Sequence, residues 1–159
     1  VKWGAMSSID GSGAAAASRG VHSGKYYWEV QVPGLCAVVG VARPAFDKYS
    51  YPGFDHLSWG YGDFGRGGEL RNDAASRFGA PITQPAIIGV ALDASKGLLW
   101  FAKNGMWLDD SDPELERNPA AILSSDFELI IPVIGVLPGC NIEIEMRANF
   151  GLEPFAFAR

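Results

Sequence analysis

Glycine and proline punctuate this chain so densely that no long helix has room to form. Twenty glycines and ten prolines are spread through 159 residues, and no window of about 11 residues combines helical periodicity with freedom from them. The runs between them are short, apolar and paced like strands. Tyr26-Tyr27-Trp28-Glu29-Val30-Gln31-Val32 is the clearest, with Tyr26, Trp28, Val30 and Val32 alternating against Tyr27, Glu29 and Gln31. One face of that strand belongs to a core and the other is partly wet.

The neighbouring run Cys36-Ala37-Val38-Val39-Gly40-Val41-Ala42 is almost continuously apolar, as a strand covered on both faces would be. With Pro33-Gly34 between them, the two runs are expected to form a hairpin. Ile87 to Leu92 is a similar run. It enters the turn Asp93-Ala94-Ser95-Lys96-Gly97 and returns as Leu98 to Lys103, after which Asn104-Gly105 supplies the positive φ angles of a type I′ turn before Met106-Trp107-Leu108. That order predicts a three-stranded meander. Leu129 to Ile134 reads as a further strand in which Pro132 calls for a bulge or an edge position. Asn141 to Met146 alternates Ile142, Ile144 and Met146 with Glu143 and Glu145, and Ala14 to Ala17 reads as strand or loop. Strands at this spacing predict an all-β fold of two packed antiparallel sheets. The stretches Arg43 to His56 and Asp109 to Asn118 are longer than ordinary connections, and binding tends to reside on such loops.

Residues 1–159 are the right length for one domain, and 48% apolar against 19% charged residues is enough to bury a core. The net charge of −5, with no Lys/Arg cluster, repels phosphate backbones and argues against a nucleic-acid partner. The longest apolar stretch, Leu129 to Leu137, is broken by Pro132 and falls far below the roughly 18 residues of a membrane helix. The start Val1-Lys2-Trp3-Gly4 has neither an initiator Met nor a signal-peptide pattern, so processing or trimming is expected to have removed something. Compartment is left unassigned. Cys36 and Cys140 are too few for the framework of a small secreted domain and read as buried apolar thiols. A bond between them stays open, because strands distant in sequence can bring them together.

Candidate chemistry is sparse. Glu143 and Glu145 share one face of their strand, about 6.5–7 Å apart by the rise per residue, a spacing that glycosidases use. Alternation alone puts both glutamates in solvent outside any pocket, which is the expected reading. His22 and His56 stand apart from any metal-ligand spacing, and no G-x-S-x-G elbow occurs. Gly60-Tyr61-Gly62-Asp63-Phe64-Gly65 matches a dinucleotide fingerprint only as a string, with no helix to follow it. Asp109, Asp110, Asp112 and Glu114 form the best cation candidate, but they lack the EF-hand pattern and read as a solvated acidic loop. No catalytic residue, metal site or cofactor is therefore assigned.

Several pieces together resemble the SPRY family, a lectin-like β-sandwich known mostly for protein recognition. They are Gly24 to Val30, Val39-Gly40-Val41-Ala42, Ser58-Trp59-Gly60-Tyr61, Ile88 to Asp93, Leu99 to Gly105, Pro132-Val133 and Asn149-Phe150-Gly151, in the family's order from about Ser18 to Phe157. The segment Trp107 to Ala120 and the ending Asn149 to Phe157 are most similar to bare SPRY modules of bacterial and bacteriophage proteins. That likeness implies a virion or tail setting, where the module would hold neighbouring subunits together or bind a surface glycan. The extra N-terminal half of the animal tripartite-motif type is missing.

The resemblance implies a binding module without chemistry of its own, which takes a protein or peptide on loops at one end of the sandwich. In this chain those loops carry Arg43, Phe46, Tyr49, Tyr51 and Phe54, flanked by Arg66, Arg71 and the turn Val136-Leu137-Pro138. Aromatic and Arg side chains dominate interface hot spots. Four rings within nine residues are costly to leave in water, so at least two are expected to pack on the sandwich while one or two are presented. Arg43 is expected to anchor a carboxylate or a carbonyl.

Overall fold

A computed structural model describes residues 13–123, 128–140 and 145–157. Among them every helix or strand is a strand, as the punctuation predicted. In chain order these are β1 (Gly13–Ala16), β2 (Lys25–Val32), β3 (Ala37–Ala42), β4 (Ser58–Asp63), β5 (Gly68–Asn72) and β6 (Ala74–Arg77). They continue as β7 (Ala86–Asp93), β8 (Leu98–Lys103), β9 (Met106–Trp107), β10 (Ala121–Ile122), β11 (Ile131–Val136) and β12 (Arg147–Asn149). The first sheet runs β1-β11-β3-β4-β5-β6; the second runs β10-β8-β7-β2-β12, with β9 also paired to β8. All these pairings are antiparallel.

Alternation decides which residues meet between the sheets. Val39 and Val41 of β3, Trp59 and Tyr61 of β4, and Ile134 and Val136 of β11 face Trp28 and Val30 of β2, Ile88, Val90 and Leu92 of β7, and Leu99 and Phe101 of β8. Tyr61 and Phe101 meet across the gap, ring centroids 5.5 Å apart. Each such side chain contributes about 1.5–3 kcal/mol by leaving water. The expected meander is present: β7 turns into β8, and Asn104 and Gly105 take φ of 49° and 84° on the way to β9.

Two expectations need correction. β2 and β3 do not form a hairpin, since β2 pairs with β7 and β12 while β3 pairs with β11 and β4. The link between them carries the chain from one sheet to the other through Gly34 at φ 133° and Cys36 at φ 77°, where a two-residue hairpin turn would have sent it back along itself. Cys36 and Cys140 are not free thiols either. They form a disulfide, with Cα atoms 6.3 Å apart across a sequence separation of 104. Pairing of β3 with β11 causes this: Ala37 lies opposite Val136, and Leu137 donates its N–H to the Cys36 carbonyl at 2.9 Å.

Pro132 lies in an interior strand but still obeys the rule that suggested an edge. Its carbonyl accepts the Ala17 N–H at 2.9 Å, so its nitrogen faces the β1 side, where β1 has already ended at Ala16. No ladder bond to β3 is lost. Residues 141–144 of the strand expected at Asn141 to Met146 lie outside the described residues; Met146 is buried, and the strand paired with β2 is Arg147–Asn149.

Candidate functional site

The outer face of the first sheet carries the residues that alternation keeps out of the core, among them Gly60 of β4, Glu69 and Arg71 of β5, and Gly135 of β11. The two glycines matter for close approach. A Cβ on Gly60 would run into the Pro52 carbonyl, and one on Gly135 would run into the Pro52 ring. Their absence lets the long loop 43–57 lie directly on the sheet. Ala14 of β1 donates to Lys48 O at 3.1 Å on one side, and Asp73, between β5 and β6, donates to Gly53 O at 3.0 Å on the other.

The loop's own polar groups hold its path. Asp55 accepts from Asp47 N–H (2.8 Å), Leu57 N–H (3.0 Å) and the Ser58 hydroxyl (3.1 Å), while Ser58 Oγ accepts from Gly53 N–H (2.7 Å). Asn72 Nδ2 donates to the carbonyls of His56 and Ser58 at 2.9 and 2.8 Å. Short polar side chains thereby satisfy a backbone that would otherwise need a ladder.

On this framework Tyr49 is 79% and Phe54 51% exposed, while Phe46 and Tyr51 are half-buried. Tyr51 meets Phe54 edge-on at 5.8 Å and Phe64 at 5.5 Å. Arg71 joins them: its Cζ lies 4.0 Å from the Phe64 ring centroid, and its Nη1 donates to Tyr51 Oη at 2.9 Å. Glu69, itself mostly buried, has Oε2 3.5 Å from Arg71 Nη2 and Oε1 3.9 Å from Arg66 Nη2. The structure thus brings Tyr51, Phe54, Arg66 and Arg71 together and presents Tyr49 beyond them.

The other expected residues sit elsewhere. Arg43 is buried at 3% exposure and donates Nη1 to the Glu128 carbonyl at 2.8 Å, so the carbonyl it anchors is one of this chain's own. Val136 faces the core with no exposure; Leu137 is half-buried and Pro138 exposed beside the disulfide. Phe64 and Glu69 were missed. Register explains their place, since Gly62 lies opposite Glu69 and Gly60 opposite Arg71. Phe64 belongs to the glycine string already set aside as a phosphate loop. In that string Asp63, buried, accepts from Gly65 and Ile82 N–H at 2.9 and 3.1 Å, which makes it a tie between segments.

The remaining candidates have structural duties. Glu143 lies outside the described residues. Glu145 is exposed as expected, but it borders an open groove of about 450 Å³ that Gln31, Ile87, Asn104 and Arg147 also line, a correction to its placement outside any pocket. Asp109 accepts from Gly79 N–H, Asp110 pairs with Arg117 at 3.5 Å, and Asp112 caps Glu114 and Leu115. No group of three or more potential metal ligands occurs among the described residues. Burial pushes the Tyr61 phenol well above its ordinary value, and its hydroxyl donates to Ala80 O at 2.6 Å. It is a core strut.

Comparison with known proteins places this geometry. The family described as SPRY domain matches residues 25–149. Protein ssh4 of Aspergillus clavatus is 24% identical over 136 residues, covering 83% of this chain and 24% of that protein. ATP-dependent RNA helicase DDX1 of Xenopus laevis is 30% identical, covering 88% of this chain and 17% of the helicase. The probable ATP-dependent RNA helicase ddx1 of Dictyostelium discoideum is 29% identical, covering 87% and 16%. The chain thus spans at most about a quarter of each of these relatives. All three are eukaryotic, so the expected bacterial and bacteriophage pattern, and the virion, tail or glycan setting built on it, finds no support. The ending that suggested it serves the fold: Asn149 Oδ1 accepts from Gly151 N–H at 2.9 Å, and its Nδ2 donates to Glu153 O at 3.1 Å.

Proposed function

The chain belongs to the SPRY domain family, and from that premise we propose that it recognises a protein or peptide through loop 43–57 and the Phe64 and Arg71 side chains beneath it. SPRY domains are in general non-catalytic protein-interaction modules. The observation that carries the choice of surface is the pairing of exposed rings with a fixed backbone. Tyr49 and Phe54 stand in water on a loop whose main chain is tied by Asp55, Ser58 and Asn72. A surface ordered before binding has less entropy to lose on contact. Arg71, stacked on Phe64, presents a planar cation to a partner carboxylate or carbonyl.

The test is selection of peptides on the immobilised chain, followed by calorimetry of the selected sequences. Tyr49→Ala and Phe54→Ala should each cost about 1–3 kcal/mol of binding. Unchanged affinity in both, and in Arg71→Ala, would move the functional surface elsewhere.

A further inference from the structure

We propose that the free edge of β6 takes up an extended acidic segment of a partner protein as an added strand. The inference rests on the reading of the chain as a protein-recognition module and specifies the chemistry of the partner.

Among the described residues β6 ends the first sheet, pairs only with β5, and is exposed along its whole length. Which of its backbone groups are free follows from register. Phe78 N–H donates to Gly68 O at 3.0 Å, so by alternation the next bonded pair is Leu70 with Ser76. Ala75 and Arg77 therefore turn their N–H and C=O groups outward, away from β5.

Other edges are managed. The β1 edge is covered where Ala14 donates to Lys48 O of the loop, β9 and β10 are two residues each, and β12 is three residues followed directly by the C-terminal segment. Natural sheets blunt longer edges with proline, bulges or inward charge. The sequence Ala74-Ala75-Ser76-Arg77 has none of these except a single arginine.

Charge complementarity selects the occupant. Ala75 lies beside Arg71 and Arg77 beside Glu69, on the same outer face as Arg66. Arg66 and Arg71 share the one carboxylate there, Glu69, and Arg77 makes no ion pair among the described residues, although the whole chain carries −5. Asp73 stands past the end of the strand, in the hairpin turn. An added strand would set alternate side chains next to Ala75 and Arg77, where aspartate or glutamate gains a cross-strand partner. A second copy of this chain fits poorly, because each copy brings −5 and an overlap of four residues, three of them small, falls well short of the ~800 Å² per partner of a stable interface.

The test uses a short acetylated and amidated peptide of alternating aspartate and valine, followed by NMR of the 159-residue chain. Ala75 and Arg77 amide signals should shift on titration, and their exchange with solvent should slow by about tenfold or more. Replacing aspartate by lysine in the peptide, or Arg77→Glu in the protein, should weaken binding by about tenfold. Ala75→Pro removes an outward N–H while sparing the β5 ladder, and should abolish the shifts. Absence of β6 shifts at millimolar peptide, equal binding of the lysine peptide, or a dimer on sizing that Ala75→Pro abolishes would each overturn the proposal. Shifts confined to Tyr49, Phe54 and Phe64 would overturn it too while leaving the proposed recognition surface standing; calorimetry with the ring variants judges that surface separately.

Discussion

The two outer faces of the sandwich are both covered by a segment that belongs to no sheet, but they are covered in opposite ways. On the second sheet the C-terminal segment is locked down: Glu29 of β2, 4% exposed, accepts from Ala156 N–H at 2.7 Å, Phe157 N–H at 3.0 Å and the Tyr27 hydroxyl at 2.9 Å. Phe155 packs edge-on against Tyr27 at 4.9 Å, so both the charge and the ring are spent inside. On the first sheet loop 43–57 is tied by its backbone while Tyr49 and Phe54 are left outside. One segment completes the fold; the other is fixed by the fold and offers its side chains. The contrast supports the proposed recognition surface through what its polar groups leave unused.

Reduction of the disulfide should have the largest effect and should act on both faces. Cys36 lies in the link between the sheets and Cys140 follows β11, so the bond belongs to neither covering segment. Closing a loop of this length restricts the unfolded chain, and its loss should lower stability by about 2–5 kcal/mol. Hydrogen exchange in 43–57 and in 150–157 should rise together. A rise confined to one of them would mean that the disulfide serves that face and that the contrast is not local.

Glu29→Ala should come next, at about 2–3 kcal/mol, because it removes a buried acceptor from two main-chain donors in a partly buried place. Its effect should be one-sided, with protection lost over 150–157 and loop 43–57 unchanged. Equal loss on both faces would show that the C-terminal segment supports the whole sandwich.

The contrast itself could not be read from the sequence, although much of its framework could. β2 declared itself by alternation, and β7 by its unbroken apolar run and the turns at Asp93 to Gly97 and Asn104-Gly105 that follow it. Their partners did not: β2 and β3 follow one another across Pro33-Gly34 as a hairpin pair would, and the backbone turn at Gly34 and Cys36 sends them into different sheets. β5 and β6 were illegible for a physical reason. Glu69-Leu70-Arg71-Asn72 and Ala74-Ala75-Ser76-Arg77 lie toward an uncovered edge, so burial imposes little apolar pattern on them. The aromatic loop was visible as a cluster of rings. Phe64 and Glu69 come from other elements and join it only through register, while Arg43 and Val136, adjacent in sequence to exposed segments, turn inward.

The smallest expected effect on stability is also the sharpest test of the contrast. Tyr49 is 79% exposed, and its ring has Lys48 Nζ 5.5 Å from its centroid, a surface cation–π contact worth at most about 0.5–1 kcal/mol. The turn it stands on is held by main-chain donors to Asp47: Tyr49 N–H donates to Asp47 Oδ1 at 3.0 Å, and Ser50 N–H to Asp47 O at 3.3 Å. Neither bond involves the ring. Tyr49→Ala should therefore change unfolding free energy by no more than about 0.5 kcal/mol, the ordinary range for a surface substitution. Chemical denaturation measures this directly, and exchange over 43–57 should stay as in the parent chain. A loss of 2 kcal/mol or more, on the order of a buried ring's share, would mean that the ring holds the loop in place. The loop would then cover its sheet as the C-terminal segment covers the other, and the ring most exposed to solvent would be part of the fold.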